Sequence, residues 1–237
     1  MDVQKYLTHV STSSKLSNDH IKYLASLKES GFEPNVIYDV GACVLVWTQA
    51  AKELWPNAKY YVFDAFDKAE FLYKQWNLKY HIGVLSDKDD RDVEFYQNDL
   101  WPNGNSYYRE SGCEYSDNMI KKYKTVRMDT IVQKQKWPKP DLVKIDVQGS
   151  ELDVVRGAFK TLSETSHLIV EMQHEECNIG AHTVMDTLPQ IEQIGFKCIA
   201  PKFCNNGPAA FYGFEKTREN LNQRPKKKLF NFLWSFN

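Results

Sequence analysis

Residues 36–42 read Val36-Ile37-Tyr38-Asp39-Val40-Gly41-Ala42. A short apolar run of this kind is typical of a buried parallel strand, and a glycine straight after it allows a tight turn close to a ligand. A helix follows through Thr48, Ala50, Ala51 and Leu54 and stops before Pro56. Lys59 to Phe63 is a second strand, Lys68 to Trp76 a helix, and Tyr80 to Leu85 a third strand. This alternation is the βαβ signature of an α/β fold with a parallel sheet and helices on both faces.

The rhythm breaks over about 88–125. Val93 to Tyr96 reads as an extra strand, and Trp101 to Asn105 as a turn-rich loop. This stretch is expected to be an inserted hairpin or lid over the sheet edge. Alternation resumes with the strand Leu142 to Asp146, a helix from Ser150 to Leu162 and the strand His167 to Met172. A helix at about 183–194 and a closing pair, Phe196 to Ala200 with Ala209 to Phe214, complete a mostly parallel seven-stranded sheet. Three parts are expected: an N-terminal helical arm (1–35), a Rossmann-like domain (36–215) and a basic, aromatic tail (216–237). Ser17 is placed to cap the arm's helix, which carries Ile21, Leu24, Ala25 and Leu27 on one face.

Composition narrows the function classes. The 237 residues hold 30 Lys+Arg against 31 Asp+Glu, a net charge of -1, so whole-domain charge gives no support for nucleic-acid binding. With 42% hydrophobic and 14% aromatic residues the chain can bury a core. Five cysteines, at 43, 113, 177, 198 and 204, form no C-x-x-C pair, which excludes a zinc ribbon and points to reduced thiols in the cytoplasm. No run of about 18 apolar residues predicts a membrane span, and Met1 to Ser14 lacks the apolar core of a secretory signal. The tail joins lysines to Leu229, Phe230, Phe232, Leu233, Trp234 and Phe236 and is expected to dock on the body or on a second subunit as a homo-oligomer.

In open α/β sheets ligands bind beyond the carboxyl ends of the strands. Each expected end carries an acid: Asp39, Asp64, Asp87, Asp146 and Glu171. Asp64 is placed to accept both hydroxyls of a ribose, as the acid about 20 residues on does in nucleotide-binding units. The G-x-G-x-x-G cradle is absent, since Ala42, Cys43, Val44, Leu45 and Val46 follow Gly41. That disfavours NAD and favours an adenosine ligand without a pyrophosphate, S-adenosyl-L-methionine above all.

These residues also resemble the FkbM family of S-adenosylmethionine-dependent methyltransferases, from about Val36 to Phe214. Asp39-Val40-Gly41-Ala42 is similar to its D-V-G-A-N opening. Tyr61-Val62-Phe63-Asp64-Ala65 and Met128-Asp129-Thr130 are similar to two further elements, and Leu168-Ile169-Val170-Glu171 to another. The longest likeness is Lys144-Ile145-Asp146-Val147-Gln148-Gly149-Ser150-Glu151 with Val155-Arg156-Gly157-Ala158. Three positions depart from it: Cys43 replaces a usual Asn, Leu45 a common second glycine and Gln148 a common Glu. Leu45 is placed to crowd the methionine end of the cofactor. The resemblance implies a Rossmann-like class I methyltransferase fold and O-methylation of a sugar or glycan hydroxyl.

The cofactor-binding set expected is Asp39, Gly41, Ala42, Asp64, Ala65, Ser86, Asp87, Asp146, Val147 and Gln148. Asp146 is the candidate base, with Lys144, Glu171 and His174 as further catalytic candidates. Asp146 and Glu171 are candidates for Mg²⁺ ligands. Asn105, Ser106, Tyr107, Tyr108 and Arg109 combine aromatic faces with polar donors suited to a sugar. His9, His20, His81, His167 and His182 show no metal spacing and read as structural. The alternatives are a non-catalytic cofactor- or glycan-binding relative, and a nucleotide-dependent oxidoreductase on the same fold. Nucleic-acid methylation lacks an N-P-P-Y-type motif.

Overall fold

A computed structural model describes residues 2–217. Its strands are β1 (Val36–Val40), β2 (Lys59–Asp64), β3 (Lys79–Ile82), β4 (Asp92–Tyr96), β5 (Ile120–Lys124), β6 (Leu142–Ile145), β7 (His167–Gln173), β8 (Phe196–Asn206) and β9 (Ala209–Lys216). Its α-helices are α1 (Val3–Ser13), α2 (Asn18–Glu29), α3 (Val46–Leu54), α4 (Glu70–Gln75), α5 (Met128–Gln135), α6 (Glu151–Gly157), α7 (Phe159–Ser163) and α8 (Val184–Gln193).

Seven strands form one sheet in the order β3-β2-β1-β6-β7-β9-β8, and β4 pairs with β5 apart from it. The first five run parallel. β9 is antiparallel to both β7 and β8. The expected Rossmann-like class I architecture is therefore present. The chain steps outward from β1 through β2 to β3 and then returns to β6 on the other side of β1. That reversal opens a crevice at the carboxyl ends of β1 and β6.

Every residue of β1 and β6 is buried, as a central strand covered on both faces requires. Tyr38, Val40, Val143 and Ile145 pack with Val154, Val155 and Ile191 on one face. Ile37 and Leu142 pack with Leu24, Trp47 and Ala51 on the other. Asp39 shares the Ile37 face, because side chains alternate along a strand, and it meets α3 rather than solvent.

Several expected elements shift. β3 ends at Ile82, three residues early, its last bond to β2 running from the Gly83 N–H to the Asp64 carbonyl at 2.9 Å. The expected helix from Ser150 breaks at Ala158 into α6 and α7. A Cβ on Gly157 would lie 2.0 Å from the Ser86 carbonyl oxygen, so the helix end abuts that loop. Helix α5 and strand β5 were not foreseen, because their apolar periodicity is weak. β8 runs on to Asn206 through two register shifts and accommodates Pro201 at the sheet edge. The expected tail beyond Thr217 lies outside the described residues.

The N-terminal segment is helical and docked. Tyr23 of α2 lies over β9, where a Cβ on Gly213 would sit 2.0 Å from its hydroxyl. Gly213→Ala should therefore displace α2 and lower stability by about 1–3 kcal/mol, the usual cost of overpacking. Urea denaturation measures this, and an unchanged midpoint would contradict the close packing described.

Candidate active site

A cavity of about 710 Å³ opens at the switch point. Gly41, Ala42 and Cys43 line it from the end of β1, Asp64 and Ala65 from β2, and Asp146, Val147 and Gln148 from β6. Gly41 has φ +75°, and a Cβ there would lie 1.7 Å from the Asp146 carbonyl oxygen. Only glycine allows the two strand ends to approach this closely.

The buried Lys144 ammonium lies between two carboxylates, 3.2 Å from Asp39 and 3.3 Å from Asp146. It also donates to the Gly41 carbonyl at 2.8 Å. Burial alone would lower its pKa, but the charges of Asp146 and Asp39 outweigh that and hold it above its ordinary value. Asp39 in turn accepts the Thr48 hydroxyl at 2.6 Å, which anchors α3. Asp39 is fully buried and does not reach the cavity, contrary to expectation.

Asp146 and Glu171 form a second unit. Gln148 donates to both, at 2.8 Å to Asp146 and 2.7 Å to Glu171. Asn206 donates to the other Glu171 oxygen at 2.7 Å. Burial pushes the Glu171 carboxyl well up, and the charge of Asp146 adds to the push, so Glu171 keeps its proton. Burial would raise Asp146 as well. Lys144 and hydrogen bonds from Glu171 and Gln148 outweigh it and hold Asp146 below its ordinary value, ionised. Two carboxyls bridged by an amide donor suit one shared proton rather than a divalent ion. Among the described residues no group of three or more His, Cys, Asp or Glu side chains could hold a metal ion, so the Mg²⁺ expectation gains no support.

Asp64 accepts the Cys43 backbone N–H at 2.6 Å and the Phe66 N–H at 2.7 Å. Burial raises its pKa against these bonds. Each oxygen keeps a lone pair for a further donor. Leu45 does not crowd the cavity. It takes the left-handed conformation, φ +69°, and buries its side chain beside Val62 and Phe66. The backbone does there what a glycine would do.

Other expectations are corrected. Ser86 and Asp87 do not line the cavity. Ser86 accepts from Arg91 at 2.6 Å, and Asp87 pairs with Arg91 at 3.3 Å. The early end of β3 puts Gly83, Val84 and Leu85 at the cavity wall instead, with Phe95 beside them. His174 lines neither cavity, and its ring bonds the Tyr212 hydroxyl at 3.0 Å. Asn105, Ser106 and Tyr107 do line the main cavity, whereas Tyr108 and Arg109 do not. The Tyr107 and Tyr108 hydroxyls both donate to Asp153 on α6, so the pair braces the insertion and presents no open platform. The Nδ2 of Asn105 is buried without a partner.

A side cavity of about 150 Å³ adjoins the main one and shares Gly104, Glu110, Gln148 and Asn206 with it. Glu171, Gln173 and Asn178 complete its polar wall. Glu110 and Asn206 were missed by the sequence reading, since neither belongs to a motif. His20, read there as structural, lines the main cavity.

The methyltransferase FkbM domain model matches residues 39–198, about two thirds of the chain. The chain belongs to this family. Membership classes residues 39–198 as a methyltransferase FkbM domain, the family that the resemblance named. It is 41% identical over 49 residues to the hexuronic acid methyltransferase AglP of Haloferax volcanii, a match covering 21% of this chain and 20% of that relative. Among solved structures it is similar to a precorrin-6y C5,15-methyltransferase from Geobacter metallireducens, with a TM-score of 0.47 and 12% identity over 86% of this chain and 94% of that one. It is also similar to a ribosomal protein L11 methylase from Lactobacillus delbrueckii subsp. bulgaricus, at 0.46 and 14% over 85% and 81%. Both scores are below 0.5, and the topology above rests on this chain's own strand order.

Two expected outcomes follow from the buried charges of the FkbM protein. Lys144→Met leaves Asp39 and Asp146 without their cation and should cost about 3–5 kcal/mol in urea denaturation; a loss under about 1 kcal/mol would contradict the pairing. Burial pushes Glu151 from 4.5 up to about 7, and Asp146 adds to the rise. A carboxyl raised on folding contributes stability fully present below its unfolded value and lost as pH rises through its folded value. Stability should thus fall between about pH 4.5 and 7, and Glu151→Gln should flatten that fall, as denaturation at stepped pH would show.

Proposed function

We propose that this FkbM protein transfers the methyl group of S-adenosylmethionine to a hydroxyl of a sugar or glycan. The observation that supports this best is Asp146 lining the switch-point cavity beside Gly41, with the Lys144 ammonium 3.3 Å from its carboxylate. The chain's groups fit the cofactor. Asp64 has acceptor capacity left for the ribose hydroxyls, and Gly83, Val84, Leu85 and Phe95 offer an apolar wall to the adenine. When bound, S-adenosylmethionine supplies a methyl group on a cationic sulfur, open to in-line attack.

A sugar hydroxyl attacks poorly until its proton is taken. Asp146 accepts that proton in this reading. Lys144 keeps Asp146 charged, and Gln148 and the protonated Glu171 hold its orientation. The side cavity suits a polyhydroxylated acceptor, because Gln148, Gln173, Asn178 and Asn206 carry both donors and acceptors and Glu110 adds carboxylate acceptors. Asn105, whose Nδ2 has no partner, lines the main cavity. The carbohydrate assignment also draws on the name of the Haloferax relative, which acts on a hexuronic acid.

In this reading residues 36–215 form the methyltransferase unit, with an insertion at about 88–125 and an N-terminal arm over 1–35. The tail from 216 is proposed to mediate self-association. All five cysteines are free, in keeping with a cytoplasmic setting, and no helix among the described residues is long and apolar enough to cross a membrane.

The test is calorimetric titration with S-adenosylmethionine, S-adenosylhomocysteine and NAD, followed by a methyl-transfer screen on sugars. The adenosyl ligands should bind and NAD should not. Asp146→Asn should cut turnover by roughly 100-fold or more, the usual range for losing a positioned base, with the fold intact. Unchanged turnover would remove Asp146 from the mechanism. Binding without transfer to any sugar would favour the non-catalytic relative, and binding of NAD alone the oxidoreductase.

A further inference from the structure

His20 lies on α2, outside the segment that the family model matches. It is only 2% exposed, yet it lines the main cavity. Phe203 and Phe211 pack edge-on against its ring. The Trp47 indole donates to its Nε2 at 3.2 Å. An indole nitrogen can only donate, so Nε2 is an acceptor and the ring proton sits on Nδ1. Among the described residues no group accepts from Nδ1. Burial, with help from the Lys144 charge, pushes the ring's pKa down to about 4 against the pull of Asp146, so the ring is neutral. The chain therefore holds a buried, oriented N–H donor with no protein acceptor at the cavity wall.

The neighbourhood says what that donor is for. Trp47 belongs to the first turn of α3, whose N-cap Leu45 makes no side-chain capping bond. Free backbone N–H groups of a helix's first turn favour an anion. Two lysines line the cavity: Lys15 precedes His20 on the arm, and Lys144 is already committed to Asp39, Asp146 and the Gly41 carbonyl. An anionic group arriving here needs a donor that is still free, and His20 is one. If the adenosine lies between Asp64 and Leu85, the amino-acid end of the cofactor falls on this side.

We propose that His20, fixed in its Nδ1–H form by Trp47, binds the carboxylate of S-adenosylmethionine together with the first turn of α3. This rests on the cofactor reading above and assigns the arm helix α2 a direct part in the site.

The test compares S-adenosylmethionine with its decarboxylated analogue, which keeps the adenosine, sulfonium and amine but lacks the carboxylate. Titration calorimetry on the full chain gives both affinities. His20→Leu should weaken S-adenosylmethionine at least about tenfold, the scale of a hydrogen bond to a charged group, and leave the analogue within about twofold. His20→Asn, which returns an N–H donor near the Nδ1 position, should recover most of the loss. Trp47→Phe, which keeps the ring but frees its tautomer, should reduce the preference for the carboxylate by a smaller factor and serves where His20→Leu fails to fold. Equal weakening of both ligands, or of neither, overturns the proposal. If the unchanged chain binds neither ligand, the cofactor reading itself falls, and this assignment with it.

Discussion

The site depends on one buried cation. Lys144 sits where β1 and β6 end, in contact with carboxylates from both strands. A buried ion pair seldom adds much net stability, because desolvation offsets the attraction. Its value here is positional. Through Asp39 and Thr48 it fixes α3 against the sheet. Through the Gly41 carbonyl it holds the first loop. Through Asp146 it sets which of the two bridged carboxyls is ionised. Its field also helps keep His20 neutral.

The loops around that cation are under local strain. Cys43, Leu45 and Gln148 all take positive φ, at 44°, 69° and 55°. Each costs on the order of 1 kcal/mol for a residue with a Cβ. Each is held by contacts made nowhere else. The Cys43 N–H bonds Asp64, and its carbonyl accepts the Tyr73 hydroxyl at 2.7 Å. Leu45 buries its whole side chain. Gln148 donates to two carboxyls at once. These are the three positions where the sequence departs from the family pattern. The departures leave the loop path open, and at 148 they replace a charge by an amide.

The parallel strands were legible because burial on both faces leaves a plain apolar run, as in Val36 to Val40 and Leu142 to Ile145. Gly41, Ala42, Asp64, Ala65 and Asp146 through Gln148 were legible because strand ends face the crevice in any sheet of this order. What failed depended on where a strand stops. β3 ends three residues early, so the wall is Gly83 to Leu85 and not Ser86 and Asp87. His174 was misjudged because residues after a strand turn freely, and it turns toward Tyr212. Tyr107 and Tyr108 looked like a sugar platform, but Asp153, 45 residues beyond Tyr108 on α6, claims both hydroxyls. His20 was invisible for the opposite reason. Nothing in a helix of the arm announces that it will be carried over the end of another helix.

The acids at the strand ends show why composition alone could not assign roles. Asp39, Asp64, Asp146 and Glu171 are chemically alike in the sequence and are separated by their surroundings. Asp39 has a cation and a hydroxyl and no path to the cavity. Asp64 is bonded to two backbone N–H groups and faces the cavity. Asp146 faces it too, with Lys144 behind it. Glu171 lacks a cation of its own, and burial with the neighbouring Asp146 charge pushes its carboxyl well up. Pushing like groups apart in pKa is how one cluster comes to hold both an ionised acceptor and a neutral donor at the same pH. The sorting agent is again Lys144, which holds Asp146 below its ordinary value while burial and the Asp146 charge push Glu171 up. In the proposed reaction an acceptor hydroxyl meets Asp146, the carboxyl that Lys144 holds below its ordinary value, with Glu171 tied to it through Gln148.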